Sequence, residues 1–165
     1  MIKQDKSLTM TVLMTPDMAN FSGNVHGGSL LKLLDQVAYA CAAKYCKTYV
    51  VTVALDQVFF KENVKVGELV TFFANVNYVG RTSMEIGVKV VAENLMTEEK
   101  RHTNSCYFTM VAVDGNGQPV TVPQLNLETE VERKLYEAAE ARKQMRKEFM
   151  EKSSALHVDL PKDSL

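Results

Sequence analysis

Apolar positions repeat with two different periods along this chain, and the changes of period mark its elements. Leu8 to Met14 alternates as a short strand, which Thr15-Pro16 ends. From Gly27 to about Tyr45 the apolar residues fall on nearly every side of a helical wheel. Such a helix is expected to be buried. The period of two then returns. Tyr49 to Phe60 is rich in Val and Phe at both parities, which predicts a strand covered on both faces. Gly67 to Tyr78 places Val70, Phe72, Ala74, Val76 and Tyr78 on one side. Thr82 to Glu93 sets Met84, Ile86, Val88, Val90 and Ala92 against Ser83, Glu85, Lys89 and Glu93. Lys100 to Val113 turns Cys106, Phe108, Met110 and Ala112 toward the core, and Asp114-Gly115-Asn116-Gly117 is a turn signal.

One buried helix followed by a run of strands is not the strand–helix alternation of a parallel sheet. Neither GxGxxG nor GxxxxGK[ST] occurs. An antiparallel sheet curled around a single central helix buries that helix on most sides, so the fold class is α+β. After Pro123 the composition changes. Glu128 to Lys152 is dense in Glu, Arg, Lys and Ala, with Val131, Leu135, Ala138, Met145 and Phe149 at helical spacing. This predicts an amphipathic helix packed on the body or on another subunit. Arg142 interrupts the seam, which argues against a coiled-coil zipper. The organisation is therefore a domain over 1–123, an appended helix over 124–152 and a loose tail over 153–165.

The net charge of −1 gives no electrostatic reason to expect nucleic acid or an anionic membrane as partner. No apolar run is long enough to span a bilayer, and the first residues lack the core of a signal peptide. Cys41, Cys46 and Cys106 form no CxxC pair, as expected of reduced thiols in the cytoplasm. Cys106 shares parity with Phe108 and Met110, so it reads as a core residue and not as a nucleophile for His102. The three histidines, His26, His102 and His157, have no metal-ligand spacing, and no metal is expected.

The most informative segment is Ala19-Asn20-Phe21-Ser22-Gly23-Asn24-Val25-His26-Gly27-Gly28, which leads straight into the apolar helix. The first turn of a helix carries free backbone N–H groups and the positive end of the dipole. Gly27 and Gly28 let a ligand come close to that backbone. Asp35 is one carboxylate in the middle of the apolar run, where a charge is expensive unless used or paired. On its own it reads first as an ordinary acid facing water or paired with Lys32.

Asn24-Val25-His26-Gly27-Gly28 with Leu34-Asp35 resembles the hotdog-fold acyl-CoA thioesterases, and most of all the YciA-like and brain-type acyl-CoA hydrolases. Val51-Thr52-Val53-Ala54, Val58-Phe59-Phe60-Lys61, Val66-Gly67-Glu68, Val79-Gly80-Arg81-Thr82-Ser83 and Phe108-Thr109-Met110-Val111-Ala112-Val113-Asp114 follow in the family's order. Together they cover roughly residues 8 to 123.

The resemblance implies a hotdog fold and hydrolysis of fatty acyl-CoA to fatty acid and CoA. CoA would enter only as part of the substrate, with no further cofactor. The alternative is a hotdog module that binds acyl-CoA without hydrolysing it; a hotdog dehydratase lacks a suitable His–acid pair. By resemblance Gly28 donates to the oxyanion, with Gly27 and His26 beside it. Asp35 is the base or nucleophile, and Asn24 orients water or carbonyl. Gly80, Arg81, Thr82 and Ser83 hold the CoA phosphates, with Lys61 and Arg101 as weaker candidates. An acyl tunnel lined from Leu31, Leu34 and Phe60 is expected. Asp35 lies seven residues beyond Gly28, about 10 Å along the axis. A site shared across a homodimer is therefore expected, with a hexamer built as a trimer of dimers as the higher form.

Overall fold

A computed structural model describes residues 3–159 of the chain. The order of elements is β1 (Ser7–Leu13), a one-turn 3-10 helix (Pro16–Met18), α1 (Gly27–Cys46), β2 (Val50–Leu55), β3 (Leu69–Val79), β4 (Ser83–Glu93), β5 (Lys100–Ala112) and α2 (Glu130–Ala155). The strands form one antiparallel sheet in the order β1-β3-β4-β5-β2. The α1 helix touches all five strands. This is the sheet-and-central-helix arrangement that the hydrophobic pattern predicts. The chain divides into two compact units, Met1–Asn126 and Leu127–Leu165.

Alternation in the strands supplies the core. Phe72, Ile86, Val88, Phe108 and Met110 meet Leu34, Val37, Ala38 and Cys41 of α1. Each fully buried large side chain contributes about 1.5–3 kcal/mol. Cys41 and Cys106 are both buried, and burial pushes each thiol up to about 12. Neither is a thiolate at neutral pH.

The opposite parity of β4 carries polar groups. Asn75 Nδ2 donates to Asn77 Oδ1 at 3.0 Å, and Asn77 Nδ2 donates to Glu85 Oε1 at 3.1 Å. The β3–β4 register slips between Val76 and Tyr78, so Asn77 sits on a bulge. A Cβ on Gly87 would come 2.5 Å from Asn77 Nδ2, so the bulged amide fits because this position is glycine.

Two expectations are corrected. Tyr49 to Phe60 is not one strand covered on both faces. The β2 strand ends at Leu55 and forms an edge of the sheet beside β5, with Val53 56% exposed and Phe59, beyond its end, 64% exposed. Its apolar residues at both parities reflect an uncovered edge. Nor is α1 buried all round. Leu30, Leu34, Val37, Ala38, Cys41, Ala42 and Tyr45 make one buried stripe, while Lys32, Asp35, Gln36 and Tyr39 face outward. Asp35 is therefore exposed on this chain, because the stripe covers only the side against the sheet.

In the second unit, Thr129 caps α2. Its Oγ1 accepts from Glu132 N while Glu132 Oε2 accepts from Thr129 N, a reciprocal capping box. The helix runs to Ala155, three residues into the segment expected to be a tail. Residues 160–165 of that segment lie outside the described residues.

Candidate active site

The loop before α1 is a tight, internally bonded turn. Asn20 Oδ1 accepts from Ser22 N, Ser22 Oγ and Asn24 N. Asn20 N donates to Asn24 O at 2.7 Å, and Gly23 holds φ +81°. Asn20 Nδ2 has no partner among the described residues. Asn24 Nδ2 donates to Ser22 Oγ at 3.2 Å, inside the same turn. Two asparagines thus meet at the mouth of α1, both with bonded side chains, and Asn24 is the one whose side-chain N–H is engaged.

His26 is the N-cap. Its Nδ1 accepts from Gly28 N at 3.0 Å, and its carbonyl accepts from Ser29 N and Leu30 N. The Gly28 N–H, expected to face a ligand, is thus occupied by the ring two residues earlier. The Gly27 N–H has no partner among the described residues. The Phe60 ring lies over Gly27, 3.7 Å from where a Cβ would stand.

Two turns along the helix, Asp35 meets Thr52. The Thr52 hydroxyl donates to Asp35 Oδ1 at 2.6 Å and lies 3.3 Å from Met110 Sδ. The β2–β5 register explains how Thr52 reaches the helix. It slips between Thr52 and Ala54, so Val53 is an extra residue bulged out of the ladder. A bulge re-aims the side chains beside it. Asp35 Oδ2 is left without a partner among the described residues, and no ion pair with Lys32 forms. The carboxylate is thus held by one short, charge-assisted bond and is open on its other oxygen.

The hairpin between β3 and β4 is closed by Gly80 N donating to Ser83 O at 2.8 Å. Arg81 is exposed, and its carbonyl accepts from Val122 N. Tyr45, near the end of α1, donates its hydroxyl to Pro123 O. The hairpin therefore lies with the C-terminal end of α1. Gly27 and Gly28 lie at the other end, where Val25 N bonds Val64 O. Tyr45 and Gly28 are seventeen residues apart, about 25 Å along the axis. Within one chain the expected oxyanion donors and the expected phosphate hairpin do not converge.

Lys61 is exposed in the irregular segment after β2. Arg101 is not a free cation. Its guanidinium donates to Glu68 Oε1 at 2.7 Å and Oε2 at 3.1 Å and to Asn63 O at 3.0 Å, and pairs with Glu62 at 3.3 Å. Glu68 is only 4% exposed and also accepts from Lys65 N. The Arg101 guanidinium, with that N–H, holds the Glu68 carboxyl below the usual range. A guanidinium spent in this way on a buried carboxylate has little left for a phosphate. Of the expected tunnel residues, Leu34 is sealed in the core, Leu31 is half-buried and Phe60 stays partly exposed.

The sequence marks Asn24 but gives no signal for Thr52 and none that separates Asn20 from Asn24. A threonine inside a Val-rich strand carries no mark of function. Only the bulge and the distance to Asp35 single it out.

The model of the Thioesterase superfamily matches residues 22–99. Protein VdlD of Helicobacter pylori is 52% identical over 139 residues, 84% of this chain and 79% of that protein. The uncharacterized acyl-CoA thioester hydrolase YkhA of Bacillus subtilis is 35% identical over 153 residues, 93% of this chain and 89% of that protein. An apo-hexameric acyl-CoA thioesterase superposes with TM-score 0.84 at 40% identity, covering 87% of this chain and 92% of that one. The Staphylococcus aureus acyl-CoA hydrolase, solved with butyryl-CoA and CoA, has TM-score 0.82 at 29% identity, covering 91% and 92%. Three single-alanine variants of that enzyme, at an asparagine, an aspartate and a threonine, are similar too. Those three residues stand 15 and 17 positions apart in its sequence. Asn20, Asp35 and Thr52 stand 15 and 17 apart in this one.

Proposed function

The chain belongs to the Thioesterase superfamily, and from that premise we infer that it is an acyl-CoA hydrolase whose acid is Asp35. The observation that carries the reading is the Asp35 carboxylate, pinned at 2.6 Å by Thr52 and open at its second oxygen. A pinned carboxylate keeps one lone pair aimed at a fixed point. There it takes the proton from a water that attacks the thioester carbonyl, or attacks the carbonyl itself. The carbonyl oxygen becomes negative, and backbone N–H groups at a helix N-terminus stabilise it without reorganising. Collapse restores the carbonyl, breaks the C–S bond and expels CoA as its thiolate, which takes up a proton. Where Asp35 itself attacks, a water then cleaves the mixed anhydride, releasing the fatty acid and freeing the carboxylate.

The amide role goes to Asn20 in preference to Asn24. Asn20 Nδ2 is free among the described residues, and Asn20 has the spacing to Asp35 of the substituted asparagine in the Staphylococcus aureus enzyme. His26 is a cap that covers the Gly28 N–H until a carbonyl oxygen displaces the ring. Gly27 supplies the donor that is already open.

The site is shared between two copies. Asp35 lies about 10 Å along α1 from Gly28, too far to serve one carbonyl from the same helix. The flank beside Asp35 is apolar and uncovered, with Val53, Leu55, Phe59 and Phe60 exposed. A second copy running the opposite way covers that flank and brings the N-terminus of its α1 to this Asp35. The similar hexameric enzyme fits further assembly of such pairs. The setting is the cytoplasm, a reducing compartment in keeping with three free thiols.

Thiol release from a panel of acyl-CoAs tests the activity. Mixing tagged Asp35→Asn and Asn20→Ala chains tests the sharing. Each homodimer carries a defect in both sites and should be nearly dead. A heterodimer collects both defects in one site and none in the other, so about half the wild-type rate should return. Stable heterodimers without recovered activity would place both residues in one chain's site.

A further inference from the structure

Among the described residues, no large apolar side chain is more exposed than Phe21, at 113% of its reference area. The turn that carries it is nevertheless fixed. The Asn20 carboxamide oxygen accepts from Ser22 N, Ser22 Oγ and Asn24 N, so its bonds reach past Phe21 to the other side of the turn. Asn20 N donates to Asn24 O, and Gly23 N donates back to Asn20 O at 3.1 Å. At the base Ala19 bridges to Val25 and Asn24 to Lys65, and His26 N donates to Met18 O at 2.7 Å. Phe21 therefore projects from a turn that is ordered before anything touches the ring. Such preorganisation lowers the cost of binding. An aromatic side chain presented in this way has the character of an interface anchor.

What the ring meets follows from the residue before it. Asn20 is assigned above to the site that holds the Asp35 of a second copy, and adjacent Cα atoms stand about 3.8 Å apart. Where Asn20 enters that site, the Phe21 ring enters beside it. The surface waiting there is the flank of Asp35. Thr52 pins the carboxylate, Val53 is bulged out of the ladder and exposed, and Leu55 is exposed after it. One approach of the two copies thus covers both apolar surfaces. The chemistry also needs a wall at this point. Leu34, one residue before Asp35, is sealed in the core, so the helix offers an acyl group no way inward at that turn. The first carbons beyond a carbonyl held at Asp35 run along the outer flank, and a single chain supplies only one side of that path.

We propose that Phe21 is a specificity residue acting across the pair. The ring of one copy and Val53 and Leu55 of the other form a slot for the first carbons of the acyl group, wide enough for a straight chain and too narrow for a branched one. The proposal rests on the acyl-CoA reading and its shared site, and it narrows the substrates to straight-chain acyl groups.

Isobutyryl-CoA and butyryl-CoA have the same carbon count and differ in branching, so the ratio of their kcat/KM values reads the width of the slot. Phe21→Ala should raise the branched-to-straight ratio about tenfold. Phe21→Tyr keeps the ring and should stay near the wild-type ratio. Mixed chains then locate the ring. Asn20→Ala chains are paired with chains carrying both Asp35→Asn and Phe21→Ala. Either homodimer is nearly dead, so the activity belongs to the heterodimer, whose working site joins the first chain's Asp35 to the second chain's Asn20. That site should show the raised ratio. The wild-type ratio there would put Phe21 in its own chain's site and overturn the proposal. So does an unmoved ratio in the Phe21→Ala homodimer, whether or not self-association weakens. The contact itself is read without hydrolysis, by placing the photoreactive p-benzoylphenylalanine at position 21. Irradiation should join two copies, with the attachment mapped to residues 50–60 of the second. Attachment elsewhere, or none, overturns the proposal. A cross-link at 50–60 in a protein that releases no thiol from any acyl-CoA would leave this contact standing and sink the hydrolase reading instead.

Discussion

Glu68 and Asp35 are both carboxylates set among apolar residues, and the chain treats them in opposite ways. Glu68 is closed off. Two nitrogens of Arg101 and the Lys65 N–H occupy its oxygens, and 4% of its surface remains exposed. Asp35 is exposed, held by a single hydroxyl, with one oxygen open. The corner around Glu68 is complete within one chain. The flank around Asp35 is open, with Val53, Leu55, Phe59 and Phe60 exposed beside it. A satisfied carboxylate holds structure together, whereas a half-satisfied one, oriented and accessible, is equipped to take a proton. If the comparison is sound, substitutions in the two regions should act on different quantities.

The largest effect is expected at the open flank. Asp35→Asn keeps the shape and removes the base, so kcat should fall about 10²- to 10⁴-fold with the melting temperature unmoved. Hydrolysis near the wild-type rate would erase the contrast. At the closed corner the loss should be in stability. Glu68→Gln strips Arg101 of its buried charge partner, leaving only the more exposed Glu62, and should cost about 3 kcal/mol, read from denaturant unfolding. Activity per folded molecule should stay near wild type.

The direction of the Glu68 shift adds a pH signature. Its folded pKa is held below the ordinary carboxylate value of 4.5. The stabilisation is therefore present above that value and is lost as pH falls through the folded pKa. The wild-type melting temperature should drop in that acid range, and Glu68→Gln should flatten the drop. An unchanged acid profile would mean that the pair contributes nothing to acid stability. The smallest effect is expected from Thr52→Val, which leaves Asp35 in place but unpinned. A hydrogen bond to a charged group contributes about 1.5–3 kcal/mol. The expected loss in kcat is therefore at least about tenfold. Thr52→Ser should restore most of it, because the hydroxyl, and not the methyl, holds the carboxylate.

The two regions also differ in how far the sequence announces them. Alternation in β3, β4 and β5 names the core residues, and the glycine pair followed by an apolar run names the central helix. These signals are periodic and survive any detail of packing. The site depends on what periodicity does not carry. The Val53 bulge turns Thr52 toward Asp35, but one extra residue in an edge strand looks in sequence like any other valine. Asn20 and Asn24 flank the same turn, and the local pattern fits either. The Glu68–Arg101 pair joins residues 33 positions apart, and Arg101 read alone is simply a cation near a family motif. The Asp35 side of α1 and the β2 edge are more open than their apolar composition predicts, for one reason. Apolar composition tells that a surface is to be covered, not that the cover comes from the same chain.

The bare edge of β2 has a further consequence. A row of open N–H and C=O groups with apolar side chains beside it is the ordinary template for runaway strand addition. In the proposed pair, a second copy closes the edge, and the Val53 bulge breaks the flat register that an unlimited stack would need. Folding and association are then one reaction. Its equilibrium moves with protein concentration, so dilution itself acts as a denaturant. An assay run at nanomolar enzyme would then report the dissociation of the assembly along with the chemistry of its site.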